Sequence, residues 1–367
     1  MTHRKRRFLL ASAFASAFAG MTMIVVGTVF VGSSASAVGY TVVDLAALDQ
    51  GSTVVVRGPN AMDEAVGGGF VAGGHRGLHL TRGGVQEISG LSGTDYTTAF
   101  GTNDVGDVVG SSNTATAVRA FLTPKAGAIR ELPPLAGDTG SIAFAVNKPG
   151  DAVGFTSGPD GERAVLWARD GSVTLLPGAS RAQTSRALGI NERGDAVGSW
   201  DAGLGLHAIL WPKGGAEQDL GTLPGHTTSG AVDVNARGDI VGYSADATGA
   251  RRAVRWTSDG GILDLDTLPG GDFSQALGIN NSGDIVGTST SAFGSRAFIW
   301  TAAAGLRDLN DLIVPSAFVL THAVGINASG VILALGRDAD DTHATDNHDA
   351  HEAPVRIFLL SPSGAKP

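Results

Sequence analysis

The densest group of potential metal ligands in this sequence lies near its C-terminal end, between residues 337 and 353. Carboxylate and imidazole side chains crowd this stretch, and such a mixture of oxygen and nitrogen donors suits zinc or another divalent ion. The stretch is also poor in apolar residues, so a solvated loop insertion without metal is the alternative. The candidate ligands are Asp338, Asp340, His343, His348 and His351.

A second candidate for ligand binding is Trp200, in the variable segment 199–205. Four other tryptophans recur at one repeated position, whereas Trp200 stands apart from them. An exposed indole in a variable segment could stack on a sugar ring. Packing against a neighbouring loop is the alternative.

Patterns typical of enzymes are absent from the sequence. It has no His-Glu-x-x-His pair, no Gly-x-Ser-x-Gly elbow and no Gly-Lys-Ser/Thr phosphate loop. Because the chain has no cysteine, thiol catalysis, disulfides and cysteine-bound zinc are excluded. We therefore expect a protein that is not an enzyme and has no cofactor, the divalent ion considered above being the exception.

The chain repeats one unit seven times. Each unit contains an Asn-containing motif, and three further blocks recur with the same spacing. An Ala precedes the motif, and an Arg/His-Ala-apolar-x-Trp segment follows it. The third block is an acid-Leu pair that precedes a Leu-Pro-Gly turn. Successive motif asparagines are 43 to 47 residues apart. The motif, Asn-x-x-Gly-Asp-x-Val-Gly, begins at Asn103, Asn147, Asn191, Asn235 and Asn280, with weaker copies at Asn60 and Asn327.

Each block has the length and composition of a short β-strand. The segments are rich in Val, Ile, Phe and Trp and are bounded by Gly, Asn, Asp and Pro. The 54 glycines disfavour helix interiors. Four short strands in each of seven units predict an all-β fold, a seven-bladed β-propeller of four-stranded antiparallel blades. A linear β-solenoid is the alternative.

The two ends of the repeated region complement each other. Residues 40–45 match the acid-Leu strand of the unit, and residues 355–360 match its Arg-Ala-Phe-x-Trp strand. The last unit therefore lacks one strand, which the beginning of the chain can supply. We expect residues 41–46 to pair with residues 355–360 and to close the ring.

Basic and acidic residues recur twelve positions apart, on segments that a hairpin would join. Residues opposite each other on paired strands interact, so each pair should form a structural ion pair; a ring of arginines around a ligand is the alternative. Arg163 falls opposite Leu175 and is expected to have no partner. The pairs are Arg119 with Glu131, His207 with Asp219, Arg252 with Asp264, Arg296 with Asp308, Arg76 with Glu87 (eleven apart) and, if the ring closes, Arg356 with Asp44.

Two further sets of residues recur in register. The motif carboxylates are expected to cap tight turns, with weak calcium binding as the alternative. The repeated tryptophans are expected to pack between blades, with sugar stacking as the alternative. The two sets are Asp107, Asp151, Asp195, Asp239 and Asp284, and Trp167, Trp211, Trp256 and Trp300.

The repeated motifs resemble those of the bacterial extracellular HAF-repeat family, named for a His-Ala-Phe triplet. The triplet stands here as Arg-Ala-Phe at 119–121 and 296–298 and as His-Ala-Ile at 207–209, beside Asp-Leu-Gly-Thr-Leu-Pro-Gly and Gly-Ile-Asn-x-x-Gly-Asp-x-Val-Gly segments. The resemblance covers residues 40–360. It implies export and a repeated β-sheet domain, and it transfers no catalytic residue.

The N-terminal segment has the pattern of an export signal. Four basic residues at positions 4–7 precede an uncharged stretch, residues 8–31, and Ala35-Ser36-Ala37 provides a cleavage site. A retained membrane anchor through residues 8–31 is the alternative. Cleavage after residue 37 removes four positive charges and no acid, which changes the formal net charge from −9 to −13. Such an acidic chain is poorly suited to nucleic-acid binding.

These features predict a secreted, non-enzymatic protein whose repeat domain, residues 38–367, binds or scaffolds outside the cell. A glycan or another surface protein is the expected partner. The alternatives are a glycan-active lyase or hydrolase and a purely structural envelope protein. An enzyme would need ionisable groups that converge in a pocket, and the first candidates are the residues outside the repeat pattern: Trp200, His226, Asp272 and His322.

Overall fold

The computed structural model describes residues 39–48, 55–71, 74–91, 96–201, 203, 205–339 and 355–363. The regular structure of these residues consists of 28 β-strands and one short 3-10 helix, Leu309–Leu312. None of them forms a helix with the length and apolar character needed to cross a membrane. The predicted export signal, residues 1–37, lies outside the described residues.

The strands follow one another in groups of four after a single N-terminal strand. The first strand and the first three groups are β1 (Tyr40–Leu48); β2 (Val55–Arg57), β3 (Ala65–Val71), β4 (Gly74–Thr81), β5 (Gly84–Ile88); β6 (Thr97–Thr102), β7 (Val108–Asn113), β8 (Val118–Thr123), β9 (Arg130–Leu132); β10 (Gly140–Val146), β11 (Ala152–Gly158), β12 (Gly161–Trp167) and β13 (Val173–Leu175).

The remaining groups continue the pattern, and the last has three strands. They are β14 (Thr184–Ile190), β15 (Ala196–Asp201), β16 (Leu206–Trp211), β17 (Gln218–Asp219); β18 (Thr228–Val234), β19 (Ile240–Ala245), β20 (Arg251–Trp256), β21 (Ile262–Asp264); β22 (Ser274–Ile279), β23 (Ile285–Ser291), β24 (Gly294–Thr301), β25 (Gly305–Asp308); and β26 (Phe318–Ile326), β27 (Ile332–Asp338), β28 (Val355–Pro362).

These strands form seven four-stranded antiparallel sheets, which are the blades of a β-propeller. Blade 1 consists of β2–β5, blade 2 of β6–β9, and so on to blade 6, which consists of β22–β25. Within each of these blades the strands pair in chain order, and the first strand lies innermost. The first strands of successive blades contact one another around the ring, and β2 contacts β26 where the ring closes. The predicted seven-bladed fold is confirmed.

Blade 7 closes the ring with a strand from the other end of the chain. Its order is β26, β27, β28 and β1, so β1 is the outermost strand of the last blade. Val42 pairs with Leu360 and Val43 with Leu359. Arg356 Nε donates to Asp44 Oδ2 at 3.2 Å. The expected pairing of the two terminal strands is confirmed.

Most of the predicted cross-strand ion pairs form. Arg119 Nε lies 3.0 Å from Glu131 Oε1, and Arg296 Nε lies 3.7 Å from Asp308 Oδ2. Each pair joins the third strand of a blade to its fourth, as the spacing predicts. The same contact is made by His207 with Asp219 and by Arg76 with Glu87.

Two predictions about these pairs are wrong. Arg163 is paired: its Nη2 lies 2.6 Å from Oδ1 of Asp138, a buried carboxylate in the connection that leads into β10. Arg252 pairs with Asp266 at 3.0 Å, because Asp264 accepts the backbone N–H of Asp266 and caps the turn. In both cases the acid comes from a connecting segment, outside the strand ladder that the twelve-residue spacing describes.

The motif turns are capped as predicted. Asn103 Oδ1 accepts the backbone N–H groups of Val105 and Asp107. Asp107 Oδ2 accepts a hydrogen bond from Asn103 Nδ2, and its Oδ1 accepts the backbone N–H of Lys125. Asp151 and Asp195 accept the corresponding backbone N–H groups of their own blades. These carboxylates therefore join two hairpins at the same end of a blade.

The core lies between neighbouring blades, where the repeated tryptophans pack. Trp167 is fully buried in a cluster that joins Val109 and Leu122 of blade 2 to Ala152 of blade 3. Its Nε1 donates to the backbone oxygen of Pro133, in blade 2, at 2.7 Å. Trp211 and Trp256 are also buried, and Trp300 is half-buried. The predicted packing between blades is confirmed for the buried tryptophans.

Candidate functional site

The central channel is formed by a β-bulge that recurs on the innermost strands. On β6 the pairing with β7 shifts between Ala99 and Gly101, which leaves Phe100 without an opposite residue. Equivalent shifts occur on β10, β14, β18, β22 and β26. A bulge adds one residue and redirects its side chain. Here the bulged residues turn toward the axis of the ring.

The bulged residues make the narrow part of the channel mostly apolar. The channel encloses a cavity of about 280 Å³. On one side the Phe100 and Phe144 rings lie 5.3 Å apart in an edge-to-face arrangement, and Phe155 lies 5.9 Å beyond Phe144. Six of the seven blades place an apolar side chain at the position three residues before the motif asparagine: Phe100, Phe144, Leu188, Val232, Leu277 and Val324.

Arg57 occupies this position in blade 1 and places a cation in the apolar ring. Its side chain is accessible from the channel. Nη1 donates to the backbone oxygen of Val56 at 3.0 Å. Enclosure by the ring lowers the pKa of Arg57, and the attraction of Asp233 opposes that shift. An arginine begins so far above neutral pH that the group stays charged.

Asp233 is the second irregular residue of the channel. It stands two residues before its motif asparagine, where the other blades have only Gly or Ala. Oδ1 accepts the N–H of Val234 at 2.8 Å, and Oδ2 accepts the N–H of Ile279, in the next blade, at 2.9 Å. Burial raises the pKa of Asp233, while these bonds and the charge of Arg57 act in the other direction.

The channel combines an apolar ring with one cation and one carboxylate. Among the described residues that line it, Arg57 and Asp233 are the ionisable ones. Both oxygens of Asp233 accept backbone hydrogen bonds, which oppose the rise in its pKa that burial causes. The arginine offers fixed donors to an oxyanion, and the apolar ring offers contact area.

Trp200 is not an open stacking platform. It is half-buried and packs against the cluster that contains Ala179, Ile209 and Trp211. A side chain added at Gly178 would meet its ring. The indole thus covers the connection that leads into β14, as the packing alternative proposes.

The structure does not bring together the four residues first considered for an enzyme. Apart from Trp200, each makes a polar contact within its own blade. His226 Nδ1 lies 3.1 Å from Ser244 Oγ, and Thr290 Oγ1 donates to Asp272 Oδ1 at 3.0 Å. His322 Nδ1 lies 3.0 Å from Thr321 Oγ1, and burial lowers the pKa of His322.

The predicted metal-binding stretch is only partly within the described residues. Asp338, at its start, pairs with Arg356, whose Nη1 lies 2.7 Å from Asp338 Oδ1. Asp340, His343, His348 and His351 lie outside the described residues. Within the described part of the chain, no three His, Asp or Glu side chains form a group suited to a metal ion.

Comparison with known proteins supports the fold alone. No protein-family model and no curated protein matches the chain. A catalytically inactive variant of virginiamycin B lyase from Staphylococcus aureus, solved with quinupristin, is similar with a TM-score of 0.53 and 13% identity over 88% of this chain and 99% of that chain. Acylaminoacyl peptidase from Pyrococcus horikoshii has a TM-score of 0.51 and 12% identity over 84% of this chain and 52% of that chain.

Proposed function

We propose that this chain is an exported binding protein without catalytic activity, and that its central channel takes up a small organic acid. The ligand has a carboxylate or another oxyanion at one end and an apolar body at the other. Arg57 pairs with the oxyanion, and the ring that contains Phe100 and Phe144 packs against the apolar body. The export pattern of residues 1–37 supports a role outside the cytoplasm.

One observation carries this proposal. Seven equivalent positions face the axis, six of them are apolar, and the seventh is Arg57. The Arg57 side chain is exposed to the channel, where its guanidinium can meet a ligand. Among the described residues, its guanidinium bonds only to the adjacent Val56 carbonyl. The other N–H groups are therefore available to a ligand.

Binding of phenylacetate and of its neutral analogue phenylacetamide to residues 38–367 tests the proposal by calorimetry. We expect phenylacetate to bind more tightly, and Arg57→Gln to remove that preference with a loss of at least about tenfold in affinity. Arg169→Gln, at an exposed hairpin, is the matched control and should bind as the unaltered protein does.

Failure of both compounds to bind, or equal binding of phenylacetate by the unaltered protein and by Arg57→Gln, would overturn the assignment.

A further inference from the structure

The interface between blades 1 and 2 lacks a side chain that most other interfaces contain. Four residues after the repeated basic residue of the third strand, blades 3 to 6 have tryptophan. Blades 1 and 7 have Leu80 and Leu360 at this position. Blade 2 has Thr123, the single polar residue in the series.

The tryptophan at this position fills a slot against the preceding blade. Trp167 is buried there, and its indole N–H donates to the backbone oxygen of Pro133 at 2.7 Å. Trp211 repeats the arrangement one blade further on, with its N–H donating to the Pro177 oxygen at 2.9 Å. At these two interfaces the slot therefore offers a carbonyl acceptor to the indole N–H, whereas the buried Nε1 of Trp256 has no such partner.

Between blades 1 and 2 this slot is a cavity of about 340 Å³. Thr123 lines it together with the apolar side chains of Ile88, Val108 and Ile129. Ser89 also lines it, and it follows Glu87 by two residues, as Pro133 follows Glu131. The Ser89 carbonyl is therefore the counterpart of the acceptor used by Trp167.

Two buried polar atoms in the slot have no hydrogen-bond partner. They are Thr123 Oγ1 and His79 Nε2. His79 Nε2 lies 3.6 Å from Glu64 Oε2, beyond hydrogen-bond distance. The next three blades have leucine in place of His79. Buried polar atoms without partners are destabilising, so these two residues weaken the packing of this interface relative to the apolar residues at the same positions in other blades.

We propose that the slot binds a small planar bicyclic heteroaromatic molecule with a ring N–H, of the indole type. The ligand takes the place of the missing tryptophan side chain: its ring packs on Ile88, Val108 and Ile129, and its N–H reaches the carbonyl side of the slot. Thr123 and His79 line the slot around the ring. This site is separate from the channel and does not depend on the function proposed for it.

The size of the cavity agrees with this ligand class. A dry cavity of roughly 150 Å³ suffices to bind benzene in an engineered protein core. The present slot, at about 340 Å³, is about twice as large. Glu87 and Lys125 stand at its rim with side chains 55% and 53% exposed. Solvent can therefore enter, and so can a small molecule.

Indole itself is the probe for this site. We expect indole to bind the unaltered protein, with shifted amide signals at the Thr123 side of the slot and a raised Tm. 1-Methylindole, which lacks the N–H, should bind at least about tenfold more weakly if the carbonyl contact forms. Thr123→Trp, which restores the repeated side chain, should raise the Tm and abolish indole binding.

Two further variants keep the test decisive. Thr123→Leu, the residue that blades 1 and 7 carry, should reduce indole binding even if the larger tryptophan prevents folding. Trp167→Thr should lower the Tm by opening the same slot between blades 2 and 3, and indole should partly restore it. Indole that fails to bind the unaltered protein at millimolar concentration, or that binds Thr123→Trp and Thr123→Leu as well as it binds the unaltered protein, would overturn the proposal.

Discussion

The side-chain amide of Asn327, in blade 7, donates to the backbone oxygen of Asn60, in blade 1, at 2.9 Å. This bond belongs to a series in which each motif asparagine caps its own turn with Oδ1, and all of them except Asn280 also reach the next blade with Nδ2. The bond from Asn327 carries the series across the junction of the ring. The other links run from Asn60 to Asn103, Asn103 to Asn147, Asn147 to Asn191, Asn191 to Asn235 and Asn235 to Asn280, at 2.9 to 3.2 Å.

Removing one of these amides should destabilise the whole propeller. In Asn147→Ala, the N–H of Asp151 and the carbonyl of Asn191 lose a buried partner. We expect the free energy of unfolding to fall by about 2–4 kcal/mol, as measured by urea denaturation. Asn281→Ala removes one exposed bond between blades, from the N–H of Ala236, and is the control. Asn281→Ala should lower the free energy of unfolding by less than about 1 kcal/mol. If the two variants lower it equally, the buried amides do not stabilise the propeller more than an exposed bond does.

The buried carboxylate of Asp138 should matter more than an exposed one. Asp138→Asn leaves the Arg163 guanidinium without its counter-charge at a site where the acid is 1% exposed. We expect a loss of about 3 kcal/mol in thermal or urea unfolding. Glu131→Gln breaks the half-exposed pair with Arg119 and should cost only about 0.2–1 kcal/mol. A larger loss of stability in Glu131→Gln than in Asp138→Asn would contradict the argument from burial.

The N-terminal strand should be required for stability. A chain that begins at residue 49 lacks β1, which leaves the edge of β28 bare and removes Leu45 from a cluster with Leu359. We expect a lower Tm and a tendency to associate through the exposed edge. A chain that begins at residue 39 keeps β1 and serves as the control. Identical melting curves for the two chains would refute the role of the closing strand.

His322 should make stability depend on pH. Burial lowers its pKa below the ordinary value of 6.5, so the folded protein binds this proton less readily than the unfolded chain. The stability associated with the neutral ring is present above pH 6.5 and is lost as the pH falls through the lower folded value, with a slope approaching about 1.4 kcal/mol per pH unit. His322→Gln should make the free energy of unfolding less dependent on pH between pH 7.5 and 5, by the contribution of about one proton. If the unaltered protein and His322→Gln show the same dependence of unfolding on pH, His322 is not its cause.

Much of the fold could be predicted because the unit repeats. The asparagine spacing predicts the seven blades, and the mismatch of the two ends predicts that β1 pairs with β28. The motif turns explain one glycine in six of the seven units, the first having Asp63 at positive φ, whereas the last glycine of the motif has another cause. At Gly154 a Cβ would overlap the carbonyl oxygen of Ile142 on the innermost strand. Strand spacing alone does not show such a close approach.

The candidate sites were harder to predict. Arg57 and Asp233 interrupt two aligned positions of the repeat, so an alignment of the seven units contains that signal. Their meaning depends on the ring, because the sequence alone does not show that these positions line the central channel. Asp138 was not predicted as the partner of Arg163, because it lies in a connecting segment. The length of these segments varies between units, so the strand register does not predict which of their residues meet a strand.

The place of β1 in blade 7 also fixes the order in which the molecule can be completed during synthesis. β28 follows β1 by about 300 residues, so at 5–20 residues per second a ribosome makes the two strands roughly 15 to 60 seconds apart. During that interval β1 has no partner strand and blade 7 is incomplete. A factor that shields the bare edge of β1 over this interval would protect the chain from association through that edge.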